Sequence, residues 1–103
     1  MQAEALDRMF GALADPTRRA ILVSLRESES PVHALAADFA ISRPAVSKHL
    51  AVLRDAGLVR EIRRGRENVY FLERAALNNA RKWLSEFWRG RLDALRRMAE
   101  DEP

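Results

Sequence analysis

The chain contains no cysteine, which excludes disulfides, thiolate metal sites and a thiol redox switch, and suits a reducing compartment. Histidine occurs twice, at His33 and His49, so no histidine cluster exists. There is no glycine-rich phosphate loop and no paired-carboxylate arrangement, so nothing in the sequence points to an enzyme. No apolar run approaches the length of a membrane span, and no signal peptide precedes the first helical segment. The expectation is a cytoplasmic protein without membrane attachment. Glycine and proline number four each, few enough for each to act as punctuation.

What remains is a chain of 103 residues, 48% hydrophobic and 32% charged, which reads as one globular domain over residues 1–103. A core of that size is modest, and dimerisation often supplies the missing burial. Net charge is +3, but it is unevenly placed. Between Ser42 and Arg66 stand seven basic residues (Arg43, Lys48, Arg54, Arg60, Arg63, Arg64 and Arg66) against Asp55 and Glu61. That segment therefore carries +5 and the remainder −2, a local footprint suited to a polyanion.

Helical spacing of Leu6, Met9, Phe10 and Leu13 predicts a first helix over 4–13. Asp15-Pro16 is a cap followed by a proline suited to the first turn, and opens a second helix to about Arg26 with Ile21, Leu22 and Leu25 inward. Ser30-Pro31 repeats the pattern and predicts a third helix to about Phe39. Ala40-Ile41 is the turn. Ser42 caps a fourth helix that ends near Ala56, where Gly57 offers a left-handed stop. Leu58–Arg64 and Glu67–Leu72 are β-rich around Gly65 and predict a hairpin. Arg74 to about Ala99 predicts one long last helix, and Asp101-Glu102-Pro103 is expected to fray. The fold class is mainly α with a small β-hairpin, a winged helix-turn-helix of five helices. The helix-turn-helix occupies 31–56 and the wing 58–72.

A helical wheel through 42–56 puts Val46, Leu50 and Leu53 on one side and Pro44, Ser47, Lys48 and Ala51 on the other. Small side chains among a few hydrogen-bonding groups allow a helix to lie deep in the major groove of duplex DNA. Arg43, Ser47 and Lys48 lie in the first turns, where such helices meet base edges. Ser42 and the free backbone donors at the helix start suit a phosphate, and Arg54 suits the DNA backbone. His49 lies at the edge of the buried side and fits either a packed ring or a phosphate contact. Arg63, Arg64 and Arg66 surround Gly65 at the hairpin tip, a basic wing suited to phosphates or the adjacent minor groove.

In the last helix Leu77, Ala80, Leu84, Trp88, Leu92 and Leu95 recur at three- and four-residue steps, widened by Trp83 and Phe87. So large a stripe on a terminal helix predicts a symmetric homodimer interface shared with Leu6, Met9 and Phe10. A second reading makes Trp83, Phe87 and Trp88 a pocket for a small-molecule effector. The leading function is a homodimeric repressor reading a double-stranded DNA operator. The alternatives are a protein-interaction module on the same scaffold and an RNA-binding winged helix.

Four segments together resemble the ArsR/SmtB family of bacterial winged-helix repressors. They are Phe10-Gly-Ala-Leu-Ala-Asp-Pro-Thr-Arg-Arg-Ala-Ile-Leu22, Ser42-Arg-Pro-Ala-Val-Ser-Lys-His-Leu50, Leu53-Arg-Asp-Ala-Gly-Leu-Val59 and Arg64-Gly-Arg66. The resemblance spans about residues 4–99. It implies a homodimer built by the first and last helices, binding an inverted repeat and repressing transcription, with Arg43, Ser47, Lys48 and His49 toward the operator. Metal-sensing members carry cysteines on the third helix or His/Asp/Glu sets on the last. Here the third helix reads Val32-His-Ala-Leu-Ala-Ala-Asp-Phe39 and the last has no histidine, so neither a metal nor another cofactor is expected.

Overall fold

Asp15 stands in extended backbone and its carboxylate accepts the Arg18 N–H at 2.9 Å, closing the start of a helix whose first residue is Pro16. From the same turn Arg18 donates to the carbonyls of Ala12 at 2.7 Å and Gly11 at 3.0 Å, and Arg19 to that of Leu13 at 2.8 Å. Asp15 and the first turn of α2 therefore satisfy one open N–H of α2 and three carbonyls at the end of α1. The computed structural model describes residues 3–101; the expectation for Glu102 and Pro103 lies outside them. Its helices and strands follow in the order α1 (Ala3–Leu13), α2 (Pro16–Glu27), β1 (Ser30–Pro31), α3 (Val32–Phe39), α4 (Arg43–Asp55), β2 (Val59–Arg64), β3 (Glu67–Leu72), α5 (Arg74–Ser85) and α6 (Arg89–Glu100).

Both helices of the helix-turn-helix stop in the same way. Ala40 is left-handed at φ 53°, its N–H reaching the Ala37 carbonyl at 3.4 Å and the next N–H, of Ile41, that of Ala36 at 3.3 Å. Gly57 has φ 76°, with Gly57 N–H to Arg54 carbonyl and Leu58 N–H to Leu53 carbonyl both at 2.9 Å. These paired bonds close a helix and turn the chain sharply. Between the stops, the Ser42 hydroxyl accepts the Ala45 N–H at 3.2 Å and starts α4. The core joins Ile21, Leu22 and Leu25 of α2, Leu35 and Ala36 of α3, and Val46, Leu50 and Leu53 of α4, with Leu58, Val59, Tyr70 and Ala80.

Two expectations need correction. Ser30-Pro31 does not cap α3: it forms a short strand, Ser30 opposite Tyr70 and Pro31 opposite Val69, which gives an antiparallel sheet of order β1-β3-β2. The Ser30 hydroxyl donates to the Pro31 carbonyl, so it is not free to cap. The last helix is also not continuous. Ser85 donates its hydroxyl to the Lys82 carbonyl at 2.8 Å, the acceptor that the Glu86 N–H would use in an unbroken helix. Glu86, Phe87 and Trp88 instead bond three residues back, to Trp83, Leu84 and Ser85, before α-type bonding resumes from Leu92 N–H to Trp88 carbonyl.

Beyond that break α6 has no buried residue. The Cα radius of gyration is 17.9 Å and the molecule measures 64 × 30 × 23 Å. A compact chain of this length has a radius of about 13 Å, so the molecule is strongly elongated.

Candidate nucleic-acid interface

The buried Val46, Leu50 and Leu53 set the rotation of α4, and Arg43, Pro44, Ser47 and Lys48 are consequently exposed on its outer side. In the wing, Val59 pairs with Leu72 at the base and Arg64 with Glu67 at the tip, leaving Gly65-Arg66 as a two-residue turn. Gly65 at φ 61° supplies the positive φ that such a turn needs at its first position. Arg43, Pro44 and Ser47 of α4, His33 of α3 and Arg66, Glu67 and Asn68 of the wing line one open cleft. Reading helix and wing tip thus share a single concave surface.

The other residues expected at this surface divide. Lys48 is exposed without lining the cleft. The Arg63 guanidinium donates to the Gly65 carbonyl at 2.9 Å and stiffens the tip. Arg54 is paired with Glu61 at 2.8 Å, and Arg60 with Glu73 at 2.9 Å while lying 4.7 Å from the Phe71 ring centre. Arg64 does not line the cleft and is paired with Glu29, at the approach to β1. Among the described residues, Arg43, Lys48, Arg63 and Arg66 have no carboxylate within ion-pairing distance. His49 is half-buried with Nδ1 3.9 Å from an Asp15 oxygen, toward the start of α2. The Arg18 N–H first, and then the Arg18 charge, hold the Asp15 carboxyl below its ordinary range.

Sequence reasoning missed His33, Glu67 and Asn68 as cleft residues. For Glu67 and Asn68 the hairpin register was the available signal, setting Asn68 opposite Arg63; His33 had none, since its ring nitrogen meets Glu67, 3.4 Å away, only in the folded chain.

At the other end of the molecule Met9 departs from expectation. It is 2% exposed and belongs to the protein's own core, so it is not available to a partner. Phe10, Trp83, Phe87 and Trp88 form a row of rings with successive centroids 5.4, 4.9 and 6.5 Å apart. Trp88 joins Phe10, Leu13, Leu77, Ala80 and Leu84 around an apolar groove. Trp83 and Phe87 do not line it. Leu84, Phe87, Trp88, Leu92 and Leu95 are all exposed, Phe87 at 63% and Leu92 at 58%.

Residues 15–61, from the α2 cap into β2, match the family model described as bacterial regulatory protein, arsR family. The chain is 42% identical over 96 residues to the HTH-type transcriptional regulator Rv2034 of Mycobacterium tuberculosis, covering 93% of this chain and 90% of that one. It is 33% identical over 82 residues to the transcriptional repressor SdpR of Bacillus subtilis, covering 80% and 91%. Among solved structures it is similar to an ArsR-like transcriptional regulator from Rhodococcus sp. RHA1, with TM-score 0.77, 35% identity and 96% of each chain covered. It is similar too to the homodimeric winged helix-turn-helix DNA-binding domain Mb0332 of Mycobacterium bovis, with TM-score 0.69, 27% identity and 84% and 82% covered. With helix-turn-helix, wing and these likenesses in agreement, the chain belongs to the arsR family of bacterial regulatory proteins, DNA-binding regulators of transcription built on the winged helix-turn-helix fold.

Proposed function

We propose that the protein is a homodimeric repressor, acting in the cytoplasm, that reads an inverted-repeat operator. One observation carries the reading. Arg43 and Ser47 of α4 face the same cleft as Arg66 of the wing, and neither arginine has a carboxylate partner among the described residues. A helix that presents small polar groups to a groove, beside a cationic hairpin, fits base reading by the helix and backbone contact by the wing. Arg43, Ser47 and Lys48 take the base edges. Ser42, Pro44 and the wing arginines border the sugar–phosphate chain. Residues 31–56 and 58–72 are then the DNA-contacting parts, and α1, α5 and α6 join two subunits.

The dimer assignment rests on the exposed Leu84, Phe87, Trp88, Leu92 and Leu95, more apolar surface than a solvated pair of terminal helices carries. Likeness to a homodimeric domain supports it, and likeness to a repressor supports the sign of regulation. The test is selection of bound fragments from the source genome, followed by titration of the enriched sequence. Enrichment of an inverted repeat with half-sites about one helical turn, ~10 base pairs, apart is expected. Equal affinity for random duplexes would return the scaffold to the alternative of a protein-interaction module.

A further inference from the structure

Of the three arginines around the wing tip, Arg63 and Arg66 have no carboxylate partner among the described residues, but Arg64 has one, and that partner comes from elsewhere in the chain. Glu29 lies 35 positions earlier and holds the Arg64 guanidinium at its Nη1. Its position is not accidental slack in a loop. Glu29 immediately precedes β1, whose register against β3 is set by Ser30–Tyr70 and Pro31–Val69, so it is tied to the same sheet that carries the wing. The pair is open to water, with the two side chains 55% and 44% exposed. An exposed ion pair holds its partners weakly, so it is readily exchanged for a phosphate contact that gains from counterion release. A carboxylate so placed and so weakly held offers Arg64 an anionic oxygen of the kind a phosphate also offers.

We infer that Glu29 is an internal competitor for the DNA backbone: it occupies Arg64 in the free protein and yields it to a phosphate when the wing meets a duplex. The inference rests on the DNA-binding reading above and adds to it a residue that limits affinity. The wing then enters the complex in exchange for an existing pair, which lowers non-specific affinity relative to a tip with three uncommitted arginines. Arg54–Glu61 and Arg60–Glu73 lie lower on the wing or on α4, away from the turn.

The test uses a short duplex of random sequence, which reports phosphate contacts without knowledge of the operator, and compares the full chain with E29Q, R64A and the double variant across a salt series. Thermal melts confirm that each is folded. E29Q is expected to bind about two- to fivefold more tightly than the unaltered chain, the span that an exposed pair covers. Its log affinity should fall more steeply with log salt, by up to about 0.9 in slope. R64A should bind more weakly, and E29Q should add little in the R64A background. An equal E29Q gain with and without Arg64 would mean that Glu29 acts only as a distant negative charge, and would overturn the inference. So would weaker binding by E29Q, which would make Glu29 a support for Arg64, or unchanged binding by R64A. Failure of the unaltered chain to bind any duplex would remove the DNA-binding reading as well, whereas binding with no response to E29Q removes this inference alone.

Discussion

On the proposed DNA-binding reading, base recognition turns on Arg43 and Lys48. Arg43 lines the cleft and Lys48 stands free on the outer side of α4. Replacing either by alanine should cost about 1–3 kcal/mol on the selected operator and relax preference at one base position. Equal losses on operator and random duplex, measured by anisotropy, would reassign the residue to phosphate. Tyr70 offers a clean check on packing, because it is the single tyrosine. Burial first, and the Glu61 carboxylate second, push its hydroxyl from 10.0 up to about 12. A raised folded-state value means that the fold favours the neutral phenol. Its contribution to stability is therefore complete below pH 10 and is lost as the pH rises toward 12. Phenolate absorbance should show the high midpoint, and E61Q should lower it; a midpoint at the ordinary tyrosine value would contradict the packing of β3.

The two stops of the helix-turn-helix differ in one respect. Gly57 adopts its left-handed conformation freely, whereas Ala40 does so with a Cβ. Ala40→Gly should therefore raise stability by about 0.5–1 kcal/mol, strain relief less the added freedom of the unfolded chain. A lowered denaturation midpoint would show that the left-handed turn at Ala40 is not strained. The side-chain caps at helix starts were legible in the sequence because their partners are local: Asp15 and Arg18, Ser42 and Ala45 lie three positions apart. Element boundaries that depend on distant partners were not. Ser30-Pro31 carries a helix-start signature, yet β3 recruits it as a strand. The break at 86–88 has no proline, and Gly90 falls just after it; it shows only in the hydrogen bonding, where the Ser85 hydroxyl meets the Lys82 carbonyl and the chain bonds three residues back.

For the whole molecule, the exposed apolar length of α5 and α6 predicts that the monomer is not the working form. Trp88→Asp places a carboxylate in the apolar groove beside Phe10 and Leu84. Sedimentation should then report a monomer, and operator affinity should fall steeply, since two linked half-sites bind far better than one. An intact, operator-competent dimer carrying that change would count against the assignment. The stripe of large residues was legible in the sequence, but which of them remain exposed was not. Met9 shares helical spacing with Leu6 and Phe10, and only the packing of α1 onto the core shows that it faces inward.

Periodicity, capping chemistry and the order of helices, turn and hairpin were sufficient, unaided, to establish the winged helix-turn-helix and the exposed cationic side of α4, because each depends on residues a few positions apart. Which arginines remain free, which are neutralised, and how reading helix and wing tip meet across one cleft were decided by tertiary structure. Glu29 and Arg64, or Arg43 and Arg66, acquire their relation only when segments distant in the chain are packed together, and side-chain charge alone carries no record of that distance.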